Sequence, residues 1–240
     1  MSHLFELVGI HFAYPGQPDV LRALDLTLDQ GERIAITGPN GSGKSTLLRL
    51  MVGLLRPQSG LIMAFGEPRR HERDFRLVRQ RVGLLFPDPD DQLFCPTVAE
   101  DVAFGPLNLG KTRQEALEMV EQTLARLQLS HLRARVTHTL SSGEKRLVSL
   151  ATVLAMEPAV LLLDEPTNGL DESTEARLIA ILAALPQALL VVSHNAQFRH
   201  AVTHRQFRLE QGLLHPMAGP AEEDSPSLPR ACRSHPDPVP

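Results

Sequence analysis

The sequence has only two cysteines and no excess of positive charge. Cys95 and Cys232 are too few for a disulfide framework, which favours a reducing cytoplasm. The formal net charge of -4 over 240 residues lacks the positive excess that binding to nucleic-acid phosphates requires. These absences disfavour a disulfide-stapled secreted protein, and we expect no nucleic-acid partner.

Signals for export and for membrane insertion are also absent from the sequence. The first ten residues, MSHLFELVGI, lack the charged start, apolar run and cleavage site of a signal peptide, so we expect no export. The longest apolar run, residues 178–192, is interrupted by Pro186 and is shorter than the roughly 18 residues of a spanning helix. Any membrane role is expected to come through a partner.

Hydrophobic patterning predicts an α/β fold with an inserted helical segment. Short β-rich segments alternate with helical ones, which is typical of a parallel-type sheet flanked by helices. Between about 88 and 156 apolar residues recur every three or four positions without a convincing strand, which predicts a helical subdomain. From Pro216 onward the chain is rich in proline, serine and charge. We therefore predict a folded domain over 1–215 and a disordered tail over 216–240.

A glycine-rich stretch, GPNGSGKST, lies between the strand-like RIAIT and a helix-like segment. It matches G-x-x-x-x-G-K-[ST], in which backbone N–H groups and a helix N-terminus hold phosphates. Lys44 is expected to reach the β- and γ-phosphates, and the Ser45 hydroxyl to ligate magnesium. The predicted nucleotide-binding residues here are Gly38, Pro39, Asn40, Gly41, Ser42, Gly43, Lys44, Ser45 and Thr46.

A second candidate element, AVLLLDEP at residues 159–166, is an apolar run that ends in two carboxylates. Such a run is expected to be a buried strand that delivers the acids to a site at its C-terminal end. Asp164 would hold magnesium through water, and Glu165 would act catalytically by polarising the attacking water. Alone, the run is equally consistent with a strand capped by solvated acids. With the phosphate loop it predicts a nucleoside triphosphatase.

The stretch LSSGEKRLVSLATVLAMEPAVLLLDEPTNGLD, residues 140–171, resembles ATP-binding cassette (ABC) ATPases. Their LSGGQ-like signature opens a helix just before the second acidic motif. A serine and free amides at a helix N-terminus can hold a γ-phosphate presented by another subunit. The alternative is a capping box that merely starts the helix. The resemblance implies nucleotide binding by Ser141, Ser142, Gly143 and Glu144.

Other ABC-type elements can be placed from about residue 4 to 215. Tyr14 matches the aromatic residue that stacks on adenine, although ordinary packing is the alternative. His194 matches the switch histidine that contacts the γ-phosphate, and we predict it to be catalytic. The family implies an ABC-type P-loop ATPase core of mixed sheet and flanking helices, with the helical subdomain inserted and an antiparallel β edge. It also implies that two subunits sandwich two ATP molecules, with NGLD (168–171) crossing the interface.

The stretch FPDPDDQLF, followed by CPTVAEDVAFGPLNLG, resembles the ATPases of energy-coupling-factor importers, especially the cobalt and nickel group. The resemblance implies an ATP- and magnesium-dependent ATPase at the cytoplasmic face of the cell membrane, bound peripherally to a transmembrane coupling subunit and a substrate-capture subunit. Hydrolysis would drive nickel or cobalt import, with a second ABC ATPase subunit, identical or paralogous, completing the dimer. Leu93 and Phe94 are candidate contacts for the membrane partner, or core residues.

Pro87 departs from the family, in which a glutamine follows the phenylalanine of this loop. Proline has neither an amide side chain nor a backbone N–H with which to ligate magnesium or orient water. We predict that Asp88 or Gln92 partly substitutes for the glutamine. Two other functions stay open: a soluble ABC ATPase outside transport, or an ATP-binding regulatory subunit with little turnover.

A further pair, His200 and His204, has the spacing to share a face of a predicted helix. Two histidines at this spacing are a possible start of a metal site. The sequence offers no third ligand nearby, so we favour a solvated pair.

Overall fold

A six-stranded sheet lies at the centre of the structure, a computed structural model that describes residues 3–217. The spatial order is β10-β9-β3-β8-β7-β6, and neighbouring strands are parallel except for the antiparallel β9–β10 hairpin. Every residue of β3, β7 and β8 is buried, as expected of a parallel sheet covered on both faces. The strands are β3 (Arg33–Thr37), β6 (Val82–Leu85), β7 (Val160–Asp164), β8 (Ala188–Val192), β9 (Arg205–Glu210) and β10 (Leu213–Met217).

A four-stranded antiparallel sheet in the order β2-β1-β4-β5 packs beside the larger sheet. Together the two sheets confirm the predicted mixed-sheet architecture with an antiparallel β part. The sequence did not predict β4 or β5, because neither shows a clear alternation of apolar and polar residues. The strands are β1 (Phe5–Ala13), β2 (Asp19–Leu28), β4 (Ser59–Ala64) and β5 (Glu67–Pro68).

Seven α-helices occur among the described residues, and three of them lie between β6 and β7. Each of these three begins with a capping box, in which a Thr or Ser side chain and a Glu three residues later bond each other's backbone N–H. Such reciprocal bonds fix where a helix starts. The helices are α1 (Lys44–Met51), α2 (Glu72–Arg81), α3 (Val98–Asn108), α4 (Arg113–Arg126), α5 (Ser142–Leu154), α6 (Glu172–Ala183) and α7 (Ala196–Val202).

The large sheet separates two apolar cores. Along β7, Leu161 and Leu163 pack into the core shared with α3, α4 and α5, whereas Val160 and Leu162 pack into the core shared with α1 and β1. Alternate residues of a strand point to opposite faces, so one strand contributes to both cores. The end of β7, which carries Asp164, is thereby held rigidly between two layers.

Two boundaries differ from the sequence predictions. Strand β10 ends at Met217, so the folded part extends two residues into the predicted tail; the rest of that tail, with Cys232, lies outside the described residues. Helix α7 ends at Val202, so the prediction that His200 and His204 share a helix face is wrong. Within residues 3–217 no group of three or more His, Cys, Asp or Glu residues could hold a metal ion.

Asp101 fastens the start of α3 to its surroundings. Its buried carboxylate accepts hydrogen bonds from the backbone N–H groups of Phe94 (3.1 Å) and Cys95 (2.9 Å) and from the Thr137 hydroxyl (3.1 Å). Asp101→Ala leaves these donors without a partner and is expected to lower the free energy of unfolding by about 2 kcal/mol. Chemical denaturation measures this change in the free energy of unfolding. The exposed Asp91→Ala serves as control, and equal losses for both variants would contradict this role.

Candidate functional site

The phosphate loop connects the end of β3 to the start of α1, and its glycines are required by the geometry. Gly38 and Gly43 have φ values of 149° and 101°. A Cβ on Gly38 would lie 2.2 Å from the Leu209 carbonyl oxygen, and one on Gly43 would lie 2.6 Å from a Val20 methyl group. Any larger residue would therefore displace a neighbouring strand.

Lys44 is the cation of this loop. Its side chain is folded against the loop, where Nζ donates to the carbonyl oxygens of Gly38 (2.8 Å) and Pro39 (3.0 Å). Burial lowers the pKa of Lys44, and the negative charges of Glu165 and Asp164 oppose that shift. The structure thus places the predicted phosphate-binding cation beside both predicted acids.

Asp164 and Glu165 lie at the end of β7, two places from β3 in the sheet. Burial raises the pKa of both carboxyl groups; the nearby Ser45 side chain opposes the shift at Asp164, and the hydrogen bond from the His194 backbone N–H opposes it at Glu165. One oxygen of each, Asp164 Oδ1 and Glu165 Oε1, is buried without a hydrogen-bond partner among the described residues. Buried carboxylate oxygens without partners are suited to a hard cation and its water ligands.

Glu165 itself has a strained backbone and a histidine neighbour. Its φ of 45° is uncommon for a residue with a Cβ and often marks functional positions. His194 Nε2 lies 3.4 Å from Glu165 Oε1, and the His194 backbone N–H donates to Oε2 at 3.3 Å. Arg199 holds the adjoining turn by donating to the Ser193 carbonyl oxygen at 3.0 Å. The two predicted catalytic side chains are therefore in contact.

Seven of the fourteen predicted nucleotide-binding residues, together with both predicted acids, line one open cleft of about 410 Å³. Tyr14 lies at one wall, where its hydroxyl contacts Thr46 Oγ1 at 3.0 Å and its ring packs edge-on against Phe12. Gln17 and Val20 also line the cleft but were not predicted, because isolated polar and apolar residues carry no sequence signal. The lining residues are Tyr14, Gln17, Val20, Asn40, Gly41, Gly43, Lys44, Ser45, Thr46, Asp164 and Glu165.

Within the described residues, the signature residues Ser141 to Glu144 are not among those that line the cleft. Ser141 caps α5 by accepting the Glu144 N–H at 3.2 Å, and Glu144 accepts the Ser141 N–H at 2.8 Å. Gly143 packs against Thr174 of α6, which would lie 3.0 Å from an added Cβ. The capping box is formed, and the role of these residues in nucleotide binding stays a prediction.

The loop around Pro87 is bonded to α5 rather than to the cleft. Gln92 Oε1 accepts the Phe86 N–H at 3.3 Å, while its Nε2 donates to the Ser149 carbonyl oxygen and the Thr152 hydroxyl. With both ends of its amide bonded there, Gln92 is not free to act at the nucleotide. Asp88, the other residue predicted to replace the family's glutamine, accepts the Asp90 N–H through Oδ1 at 2.9 Å, and its role at the nucleotide stays a prediction.

A groove of about 630 Å³ runs between α2 and α3 beside this loop. Two aromatic rings of its lining, Phe94 and Phe104, are 64% and 45% exposed and pack edge-to-face with centroids 4.8 Å apart. Leu93 is buried in the core, so it is a core residue rather than a surface contact. Arg76 and Arg79 of α2 form the opposite, basic wall.

The fold and the site define a P-loop nucleotide-binding protein, because a glycine loop opens a helix after a buried parallel strand and faces two carboxylates of the same sheet. Residues 21–168 match the family model described as ABC transporter. The chain belongs to this family. It is the ATP-binding subunit of an ABC transporter, an ATPase coupled to transport.

Relatives and solved structures agree with this assignment. The chain is 57% identical to a putative ABC transporter ATP-binding protein of Brucella suis, over 90% of each chain. It is 47% identical to the cobalt import ATP-binding protein CbiO of Rhodobacter capsulatus, over 85% of this chain and 75% of that protein. The structure of cbiO1 from Clostridium perfringens, part of the ABC transporter complex cbiONQ, has a TM-score of 0.81 at 32% identity and covers 89% and 87% of the two chains.

Proposed function

We propose that this chain binds and hydrolyses ATP to energise import of a transition-metal ion, nickel or cobalt, through an energy-coupling-factor-type membrane complex. The observation that carries the proposal is the exposed pair Phe94 and Phe104 at the groove beside the predicted partner-binding stretch. Relatives named cobalt import ATP-binding protein and energy-coupling factor transporter ATP-binding protein, at 47% and 41% identity, support the choice of transport system. No helix within residues 3–217 is long and apolar enough to cross a membrane.

Within the cleft, the loop N–H groups and Lys44 would hold the phosphates of ATP, and Tyr14 would stack on the adenine. Ser45 and Asp164 would hold Mg²⁺, and the buried, unpartnered Asp164 Oδ1 fits that role. Bound magnesium would neutralise phosphate charge. Glu165 would orient the attacking water and take its proton, while His194 would hold the Glu165 carboxylate and contact the γ-phosphate.

The signature would act on ATP held by a second ABC ATPase subunit, either a copy of this chain or a paralogue. Ser141 caps α5 by accepting the Glu144 N–H, which leaves the N–H groups of Ser142 and Gly143 at the helix N-terminus as the candidate donors to phosphate. ATP would then join the two subunits, and its hydrolysis would let them open. This movement would drive the coupling subunit, while a separate substrate-capture subunit would select the ion.

The transport proposal is tested by metal uptake in cells that carry the complete transporter. Wild type is expected to accumulate radioactive nickel or cobalt, and the Glu165→Gln variant is expected to stay at background. Equal uptake by wild type and Glu165→Gln would contradict nickel and cobalt import. So would the absence of uptake of either ion by a wild type that still hydrolyses ATP. Copper and zinc serve as comparison ions.

The two exposed phenylalanines of the groove are expected to anchor the membrane partner. Phe94→Ser with Phe104→Ser removes the apolar anchors, so ion uptake is expected to fall by about tenfold or more, whereas ATP binding by the isolated chain stays unchanged. Leu54→Ser is the matched control, since Leu54 is 52% exposed outside the groove. Full uptake in the double phenylalanine variant would rule out this groove as the docking site.

A further inference from the structure

Arg146 is a buried cation that the functional assignment leaves unexplained. It lies on α5, five residues after Ser141, and its side chain is among the most deeply buried of the described residues, at 1% exposure. One guanidinium nitrogen donates to the Phe86 carbonyl oxygen at 2.7 Å, and the other donates to the Pro87 carbonyl oxygen. Its fork therefore holds two consecutive carbonyl groups of the loop in which proline replaces the family's glutamine.

The charge of Arg146 lies near the nucleotide site. The carboxylates of Asp88 and Asp164 stabilise its charged form, against the burial that lowers its pKa. Burying a guanidinium is costly, and two bonds to neutral carbonyls offset this cost only in part. An apolar side chain would fill the same space at lower cost, so the charge needs an explanation beyond packing.

Three further contacts bind the same loop to α5. Gln92 Nε2 donates to the Ser149 carbonyl oxygen and to the Thr152 hydroxyl, and Lys145 forms an ion pair with Asp90 at 2.6 Å. With Arg146, these contacts connect Phe86, Pro87, Asp90 and Gln92 to the helix that the signature opens. The loop is therefore fixed to the signature helix of its own chain, and Pro87 offers no side-chain donor or backbone N–H toward the cleft.

We propose that Arg146 is a positioning residue that makes the loop 86–92 move as one unit with the signature helix α5. This inference rests on the proposed function, in which the signature acts on ATP of the second subunit and the groove beside the loop receives the membrane partner. The membrane partner is then coupled, through Arg146, to the ATP that the signature contacts.

Hydrogen–deuterium exchange on the purified full-length chain tests the inference, with Glu165→Gln present to keep ATP bound. In this parent, Mg-ATP is expected to slow exchange at the phosphate loop, at the start of α5 and in residues 84–93 together. Adding Arg146→Gln is expected to speed exchange in 84–93 at least about tenfold while the other two regions keep their protection. Arg146→Lys keeps the charge without the fork and is expected to give an intermediate rate.

Arg177 provides a matched control, because it also donates to two consecutive carbonyl oxygens, those of Leu127 and Gln128. Arg177→Gln is expected to leave exchange in 84–93 unchanged. With Glu165 intact, Arg146→Gln is expected to lower kcat about tenfold with KM for ATP within about twofold, a split that general loss of folded protein does not produce.

Two results would overturn the inference. The first is that Mg-ATP protects residues 84–93 from exchange equally with and without Arg146. The second is that, in the parent, Mg-ATP protects this loop but not the start of α5. If ATP protects no region of the parent, the proposed function fails and this inference falls with it. If Arg146→Gln does not fold, the Arg146→Lys variant decides instead. Exchange in residues 84–93 that matches the parent, together with a lower kcat, would then count against the role of the two guanidinium hydrogen bonds.

Discussion

Glu165→Gln is expected to lower ATP turnover by about 10²- to 10⁴-fold, the range that general-base catalysis contributes. The amide keeps the size of the side chain but cannot accept a proton from the attacking water. Glu165 lies at the end of β7, with one oxygen buried without a partner and the other held by the His194 N–H. Phosphate release measures turnover, and binding of a fluorescent ATP analogue is expected to be retained.

The exposed Glu67→Gln makes the same chemical change outside the cleft and is expected to keep full turnover. Loss of both binding and turnover in Glu165→Gln would indicate damage to the site rather than removal of a base. Turnover within about threefold of wild type would mean that another group activates the water.

Lys44→Ala is expected to weaken ATP binding by about 10²- to 10⁴-fold, because two charge-assisted hydrogen bonds to phosphate are lost at roughly 1.5–3 kcal/mol each. In the structure the Nζ group bonds the carbonyl oxygens of Gly38 and Pro39. ATP phosphates would replace these carbonyls as acceptors. Equilibrium binding of ATP, followed by calorimetry, gives the affinity directly.

Lys111→Ala is the control for Lys44→Ala, since Lys111 is exposed between α3 and α4. It is expected to bind ATP like wild type. Equal affinities of wild type and Lys44→Ala would show that the cation is not used for phosphate, and the cleft would then need another ligand.

The sequence predicted the parallel strands and the phosphate loop because their signals are local. RIAIT and VLLLD each contain a central apolar run, as strands buried on both faces should, and they form β3 and β7. The G-x-x-x-x-G-K-S spacing fixes a loop in which its first and last glycines, Gly38 and Gly43, have no room for a side chain. The buried strands and the phosphate loop each depend on a few adjacent residues, so they can be predicted without knowledge of the rest of the fold.

Contacts between distant residues could not be predicted in the same way. Arg146 reads as one more polar residue of a helix, yet it is buried against Phe86 and Pro87, about sixty positions away. Gln92 was predicted as a substitute ligand from its chemistry, but the fold directs its amide to Ser149 and Thr152. Side-chain direction depends on which elements pack together, and the spacing of residues in a loop does not record that.

Magnesium-dependent ATP turnover of purified wild type, measured beside Pro87→Gln, tests the central claim most directly. Wild type is expected to hydrolyse ATP, Glu165→Gln to abolish this turnover, and Pro87→Gln to change it by less than about threefold. If wild type is inactive and Pro87→Gln restores turnover, the loop proline disables the site and the chain is not an active ATPase by itself.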